Sequence, residues 1–450
     1  MFALRIVHPI RLRGLRKILP GARRKVYGYR MTDATDARLA AQYEAFPYPT
    51  RDPREEAKRL IIGSPGHLKE IDWWVFGATR PASRPLNVLI AGGGTGDATI
   101  MLAQQMARAG RAGTITYLDR SAAAMDVAKA RAAARGLANI VWEQRSLLDL
   151  PGSGLGPFDY IDCCGVLHHL PDAAAGLRAL LSVLAPGGGL GLMVYAPHGR
   201  TGVYMVQDAL RLLAPADTAE GTPADPAQRL DMSRRLWKQI PETNWLKKNP
   251  WLSDHISGGD AGMYDLLLNP RDQAFTTTRF HELITAAGLR LVCWVEPVRY
   301  DPDVYLPDPR IRARTAQLSP IERAALAEAI TGNMGIHIVY VARAEDPVLT
   351  PPWEDPNNIP VLREWDGEKL ARGLPPGGVL PVSFDGLTVP LPLPRLATAI
   401  LSRIDAKRSI GEIGDLLAAQ GMSREAFARD FAELARQMER VNRLLLAAPA

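Results

Sequence analysis

Between residues 86 and 196, short apolar runs alternate with longer stretches of helical period. LNVLIA (86–91), TITYLD (114–119), NIVWEQ (139–144), FDYIDCC (158–164) and GLGLMVYA (189–196) read as strands. The intervening DATIMLAQQMARAG (97–110), AAAMDVAKARAAARG (122–136) and AAAGLRALLSVLAPGG (173–188) read as helices, each running into glycine. Glycine is a common helix stop because it takes up a left-handed backbone without strain. Strands that alternate with helices of about 10–15 residues predict βαβ units and a mostly parallel sheet.

The alternation stops after Ala196. Residues 197–275 are helical and aromatic-rich, and read as an insertion. FTTTRFHELITAAG (275–288) restores a helix, and LRLVCWVEP (289–297) and GIHIVYVAR (335–343) give two late strands separated by further helix. On the N-terminal side, residues 34–80 read as helix, extended segment, helix. The extended piece is YEAFPYPTRDP (43–53). Its prolines forbid regular helix and its aromatic rings favour burial, so it is expected to lie across the body as a strap. GHLKEIDWWVFG (66–77) follows as a predicted helix. Residues 346–394 hold eleven prolines and read as a linker with short extended pieces. Residues 395–450 read as a helical module, too small for an independent core and so expected to dock. The predicted layout is a tail (1–30), an N-terminal helical strap (31–85), a main domain (86–345), a linker and a C-terminal module.

Charge changes the picture at one end. Residues 1–30 carry nine Lys or Arg and no acid; removing those nine from the net +6 leaves the rest of the chain at −3. A mildly acidic body gives no footprint for tight nucleic-acid binding. The tail has three readings: a binder of anionic membrane or nucleic acid, a targeting segment without a clean apolar core or cleavage site, or a mis-called start before Met31. It is expected to be disordered. No run of 18 or more uncharged apolar residues occurs, so no membrane span is expected. Of the three cysteines, Cys163 and Cys164 are adjacent in a predicted strand and point to opposite faces. That argues against a disulfide framework and a zinc site, and for a reducing, cytoplasmic location. No metal is expected.

The candidate chemistry begins at AGGGTGDAT (91–99), a glycine loop between a strand and a helix. Such a loop turns backbone N–H groups and a helix N-terminus toward a ligand. Gly92, Gly94 and Gly96 give G-x-G-x-G, and Asp97 falls where a dinucleotide-binding loop has its last glycine. A carboxylate there repels a pyrophosphate and suits a cation. Asp119 ends the second strand, 23 residues past Gly96, where an acid can accept both hydroxyls of a ribose. A tight turn without ligand and a loop-capping Asp are the competing readings of these two features.

Taken together, NVLIAGGGTGDAT, YLDRSAAAMDVAKAR, SLLDLP and FDYIDCCGVLHHLPDAAAGLRALLSVLAPGGGLGLMVYAP resemble the class I S-adenosylmethionine-dependent methyltransferases over residues 86–196. FTTTRFHELITAAGLRL and GIHIVYVAR resemble that family's late helix and last two strands. The resemblance implies an α/β fold, a Rossmann-like seven-stranded sheet whose last strand is antiparallel, with S-adenosyl-L-methionine as cofactor. It implies that Gly92, Gly94 and Gly96 pass under the methionine part, and that Asp119 binds the ribose. Arg120 flanks the adenine, and Leu147 meets its edge. Gly165 and Val166 lie by the transferable methyl. Two positions depart from the pattern. Ile90 stands where many members have an acid, and Ser146 stands where many have an adenine-binding Asp. Ser146 can still hydrogen-bond, and Asp97 is expected to replace part of the missing charge.

Methyl transfer from a sulfonium is an in-line displacement, so positioning and desolvation are the main tasks. An acidic acceptor such as a phenol or enol calls for a base, and His is the usual one. His198 and His169 are the base candidates; the His168–His169 pair also fits a structural turn. His255 and Asp260 are further candidates. Trp245, Trp251, Tyr204 and Tyr264 are expected either to wall the acceptor or to give the insertion its own core. The acceptor is expected to be a small molecule, with a protein or RNA acceptor as the alternative. No N-P-P-[YF] motif and no Pro-Cys nucleophile occurs, which lowers a nucleic-acid acceptor without excluding it. A non-catalytic S-adenosylmethionine-binding regulator is a third reading, motivated by Ile90 and Ser146. The C-terminal residues resemble small winged-helix-like modules, which makes them a candidate surface for a protein partner or a homodimer.

Overall fold

The computed structural model describes residues 33–218, 222–349, 353–375 and 377–449. The basic segment 1–30 lies outside the described residues. β1 (Val88–Ala91) is apolar and buried at every position, as a strand covered on both faces must be. It pairs in parallel with β2 (Ile115–Asp119) and with β4 (Phe158–Cys164). With β3 (Ile140–Gln144), β5 (Leu184–Tyr195), β6 (Leu289–Trp294) and β7 (Ile336–Arg343), the sheet order is β3-β2-β1-β4-β5-β7-β6. β7 runs antiparallel to both β5 and β6. The chain steps outward from β1 to β3 and then returns to β4. The order therefore reverses between β1 and β4, which opens a crevice at their carboxyl ends.

Helices cover both faces. Ala173–Leu181, Thr277–Ala286 and Pro320–Thr331 place Leu177, Phe280, Ile284 and Ala327 in the core on one face. Asp97–Arg108 and the segment around Ile71 close the other face with Leu102, Met106 and Val75. Two boundaries differ from expectation. The helix predicted to 188 ends at Leu181, and β5 already begins at Leu184. Pro186 cannot continue a helix, and the extra residues are absorbed by a register shift against Phe158 and Tyr160. The helix predicted over 66–77 is a single turn, Leu68–Glu70, that widens into a π-helical turn at Ile71–Val75.

The insertion forms helices at Val203–Leu213, Pro226–Gln239 and Gly259–Leu268, with a core around Val206, Leu230 and Leu267. Phe46 of the strap packs on that core, stacked on Tyr264 at 4.9 Å.

The proline-rich stretch 346–394 is not a linker. It supplies β8 (Pro360–Leu362) and the hairpin of β9 (Val379–Phe384) and β10 (Leu387–Pro392). Pro381 and Pro390 are cross-strand partners in this two-stranded ribbon, where a missing ladder hydrogen bond is tolerated. Three helices follow, Ala397–Leu401, Ile410–Ala418 and Arg424–Arg440. β11 (Leu444–Leu446) then returns to pair antiparallel with β8. Val361, Phe384, Leu391, Ile400 and Leu434 share one core with Trp73 of the N-terminal region. A buried polar cluster fastens this unit to the sheet. Glu70 receives the Tyr340 hydroxyl at 2.7 Å and the Asn442 amide at 2.5 Å, and pairs with Arg363. Among the described residues no helix is long and apolar enough to cross a membrane.

Candidate active site

A cavity of about 670 Å³ opens at the β1–β4 reversal. Its floor is the glycine loop. Gly92 has φ +81°, and a Cβ there would sit 2.2 Å from Val166 Cγ2, so only glycine lets the loop after β4 approach. At Gly94 the strap comes close: a Cβ would lie 3.0 Å from the Tyr48 carbonyl oxygen. The Thr95 hydroxyl donates to the Pro49 carbonyl at 2.7 Å, which ties strap to loop.

Asp119 closes β2 with one oxygen accepting the Gly94 N–H at 2.8 Å and the other the Ser121 N–H at 2.9 Å. Burial raises its carboxyl above the usual range, and those N–H groups act against the rise. Ser146 caps the short turn Leu147–Asp149 through the Leu148 N–H at 3.2 Å. Of the residues expected to hold a cofactor, Gly92, Gly94, Asp97, Asp119, Arg120, Ser146, Leu147, Gly165 and Val166 all line the cavity. Gly96 is not among the lining residues. It caps the helix at φ +101°, where a Cβ would fall 2.9 Å from Ala128 Cβ, so its role is packing.

Asp97 departs from expectation. Its carboxylate takes Arg51 Nη2 at 2.5 Å and Arg131 Nη1 at 2.6 Å. Burial works to raise its pKa, but the Arg51 hydrogen bonds and the two positive charges hold it below the ordinary value. Two guanidinium groups therefore already match the charge that the sequence reading assigned to a cationic ligand. Arg131 is fully buried and also binds Glu56 at 2.6 Å, so the same network pins the strap to the Ala122–Ala134 helix.

The remaining walls include Tyr43, Tyr48, Met193, Tyr195, His169, Asp254 and Asp265. Asp265 accepts the Tyr43 hydroxyl at 2.9 Å and the Tyr195 hydroxyl at 3.1 Å. Burial, with the charge of Asp265 adding, raises the Asp254 carboxyl, and the Tyr48 hydroxyl acts against that rise. None of Trp245, Trp251, Tyr204 and Tyr264 lines the cavity. Tyr264 is in the insertion core, Tyr204 bonds Arg200, and the two tryptophans are 59% and 49% exposed. The aromatic wall instead comes from the strap and the end of β5.

The histidines separate. His169 lines the cavity, and its Nδ1 lies 2.6 Å from the Arg271 carbonyl. A carbonyl only accepts, so Nδ1 carries the proton and Nε2 the lone pair. His168 is buried, stacks on Tyr195 at 3.8 Å and accepts the Tyr195 N–H, and burial keeps it neutral. His198 is not among the lining residues; its Nδ1 meets Glu328 at 2.9 Å. His255 packs edge-on against Trp237, and Asp260 pairs with Arg234 on the surface. Tyr43, Tyr195, Asp254 and Asp265 were not singled out by sequence, since nothing local marks residues gathered from three distant segments.

A family model described as a methyltransferase domain matches residues 89–190. The structure of PKMT2 from Rickettsia typhi in complex with AdoHcy superposes with a TM-score of 0.58 at 14% identity, covering 85% of this chain and 75% of that one. The chain carries a methyltransferase domain of the S-adenosylmethionine-dependent kind. An uncharacterized protein from Synechococcus sp. is 29% identical over 337 residues, 73% of this chain and 76% of its own length. A ubiquinone biosynthesis O-methyltransferase from Marinobacter nauticus is 27% identical over 243 residues, 53% of this chain and 96% of the relative. The residues present fit the cofactor: a glycine floor that admits no Cβ at Gly92, an acid at Asp119 held by backbone donors, and a cavity of about 670 Å³ above them. When bound, the cofactor supplies an electrophilic methyl group on a sulfonium.

Proposed function

We propose that this methyltransferase acts on a small molecule with an acidic hydroxyl, a phenol or enol, and that His169 is its general base. The observation that carries the reading is the fixed tautomer of His169 in the cavity wall, beyond Gly165 and Val166. Its Nε2 would take the proton of the acceptor hydroxyl, freeing that oxygen to accept the methyl group that the bound cofactor would supply. Gly92, Gly94, Asp119, Arg120, Ser146, Leu147, Gly165 and Val166 hold and orient the cofactor. Tyr43, Tyr48 and Tyr195 form the flat wall against which an aromatic acceptor packs. The strap roofs the cavity and excludes water, which strengthens the electrostatics inside. The O-methyltransferase relative supports a hydroxyl acceptor. A small molecule fits a cavity of about 670 Å³, within the usual range for ligand pockets.

Turnover of labelled S-adenosylmethionine against a panel of phenols and enols tests this. Methylation of at least one phenol or enol, abolished in His169→Gln while cofactor affinity stays unchanged, is the expected result. Label that enters only protein or RNA from a cell extract overturns it.

A further inference from the structure

Asp162 stands in the middle of β4, in register with Ile90 of β1 and Gly191 of β5. Central strands of this kind are apolar, and a carboxylate here is costly unless something compensates it. Asp162 is 1% exposed and is among the residues that line the cavity. One oxygen receives only the Tyr160 hydroxyl, at 3.3 Å, and Oδ1 has no hydrogen-bond partner. Among the described residues no cation pairs with it, and the charge of Glu70, also negative, acts to keep it protonated. Burial pushes its carboxyl up to about 8. The contrast with Asp97 is direct: that acid is matched by two arginines, this one by none.

The order across the sheet says what Asp162 meets. Leu147 follows β3, Asp119 ends β2, the glycine loop follows β1, and Asp162 lies in β4. A cofactor laid along that edge, adenine and ribose first, brings its amino-acid end to the β1–β4 pair. There Ile90 offers no charge and Asp162 faces the same cavity. We infer that Asp162 is the acceptor for the α-ammonium group of the cofactor's amino-acid part, supplied from β4 beside a β1 position that is apolar. The ammonium group gives the orphaned Oδ1 a donor and the buried carboxylate a counter-charge. This rests on the cofactor site and is independent of the acceptor.

Calorimetric titration with three ligands tests it: S-adenosylhomocysteine, the same molecule without its α-amino group, and methylthioadenosine, which lacks the whole amino-acid part. In the wild type, loss of the amino group should weaken binding about 10–100-fold, the worth of a charge-assisted hydrogen bond. In Asp162→Asn, S-adenosylhomocysteine should lose the same factor, while the deamino ligand and methylthioadenosine change less than about twofold. Equal weakening of all three ligands, or a deamino penalty that survives in Asp162→Asn, overturns the assignment. A variant that does not fold leaves a wild-type comparison with a fourth ligand, S-adenosylhomocysteine without its carboxylate: removing the amino group must cost more than removing the carboxylate, and the reverse order overturns the inference. Wild-type protein that binds none of the three overturns the cofactor reading itself, an outcome distinct from those above.

Discussion

The two ends of the cavity are built by different means. The cofactor end comes from consecutive turns after β1, β2, β3 and β4, and its residues hold one another by backbone geometry: Gly94 and Ser121 donate to Asp119, and Gly92 makes room for Val166. The proposed acceptor end is made of side chains far apart in sequence. The Tyr43–Asp265 bond spans 222 residues and the Tyr195–Asp265 bond spans 70. One end is a property of a local motif, and the other exists only once the strap and the insertion have docked. Mutations should therefore affect the two ends separately, except where the strap joins them.

The sharpest separation is expected at His169. His169→Gln should lower kcat about a hundredfold or more, the scale of a lost general base, while calorimetry finds an unchanged Kd for S-adenosylhomocysteine. A parallel loss of cofactor affinity would erase the boundary between the ends. Arg131→Met should couple them. It leaves Glu56 and Asp97 short of a partner in a buried network, and should cost about 3–5 kcal/mol in urea unfolding. Tyr43→Phe removes one of the two hydroxyls on Asp265, and should raise the acceptor KM about tenfold with little change in cofactor Kd.

A fourth expectation concerns pH. Burial works to raise the Glu328 pKa, but the hydrogen bond and charge of His337, the Thr277 N–H and His198 outweigh it and hold it down at about 2, from 4.5. A depressed folded pKa gives stability that is present above about 4.5 and lost as pH falls toward 2. Glu328→Gln should therefore destabilise at pH 7, with the gap to wild type closing below pH 4. A gap that stays constant across that range would remove the carboxylate from the account. The smallest effect belongs to Trp245→Ala: an exposed ring outside the cavity should shift stability by no more than about 0.5 kcal/mol and leave KM unchanged.

The same division explains what the sequence disclosed. The strands and the glycine loop were legible because period and spacing are local. Asp119 was legible because its place at the end of β2 is set by two turns. The partners of Asp97 were not, since Arg51 and Arg131 reach it from the strap and from a helix face. The prolines of 346–394 suggested a linker because composition records what cannot be helix and is silent on a hairpin. Asp162 did leave a signal: an acid inside FDYIDCC, a run too apolar to face water. Reading that strand as covered on both faces was enough to ask what neutralises the acid.

The cluster at Glu70 gives the chain a direction in time. Gly66 donates its N–H to the Tyr340 hydroxyl and lies against Asp162, and Glu70 fixes this arrangement through Arg363 and Asn442. A ribosome delivers Asn442 some 372 residues after Glu70. The sheet and the glycine loop can assemble on the nascent chain, but the segment over Asp162 gains the last of its anchors only when the late residues emerge. Until then the growing polypeptide carries its glycine floor beside a segment still short of Arg363 and Asn442.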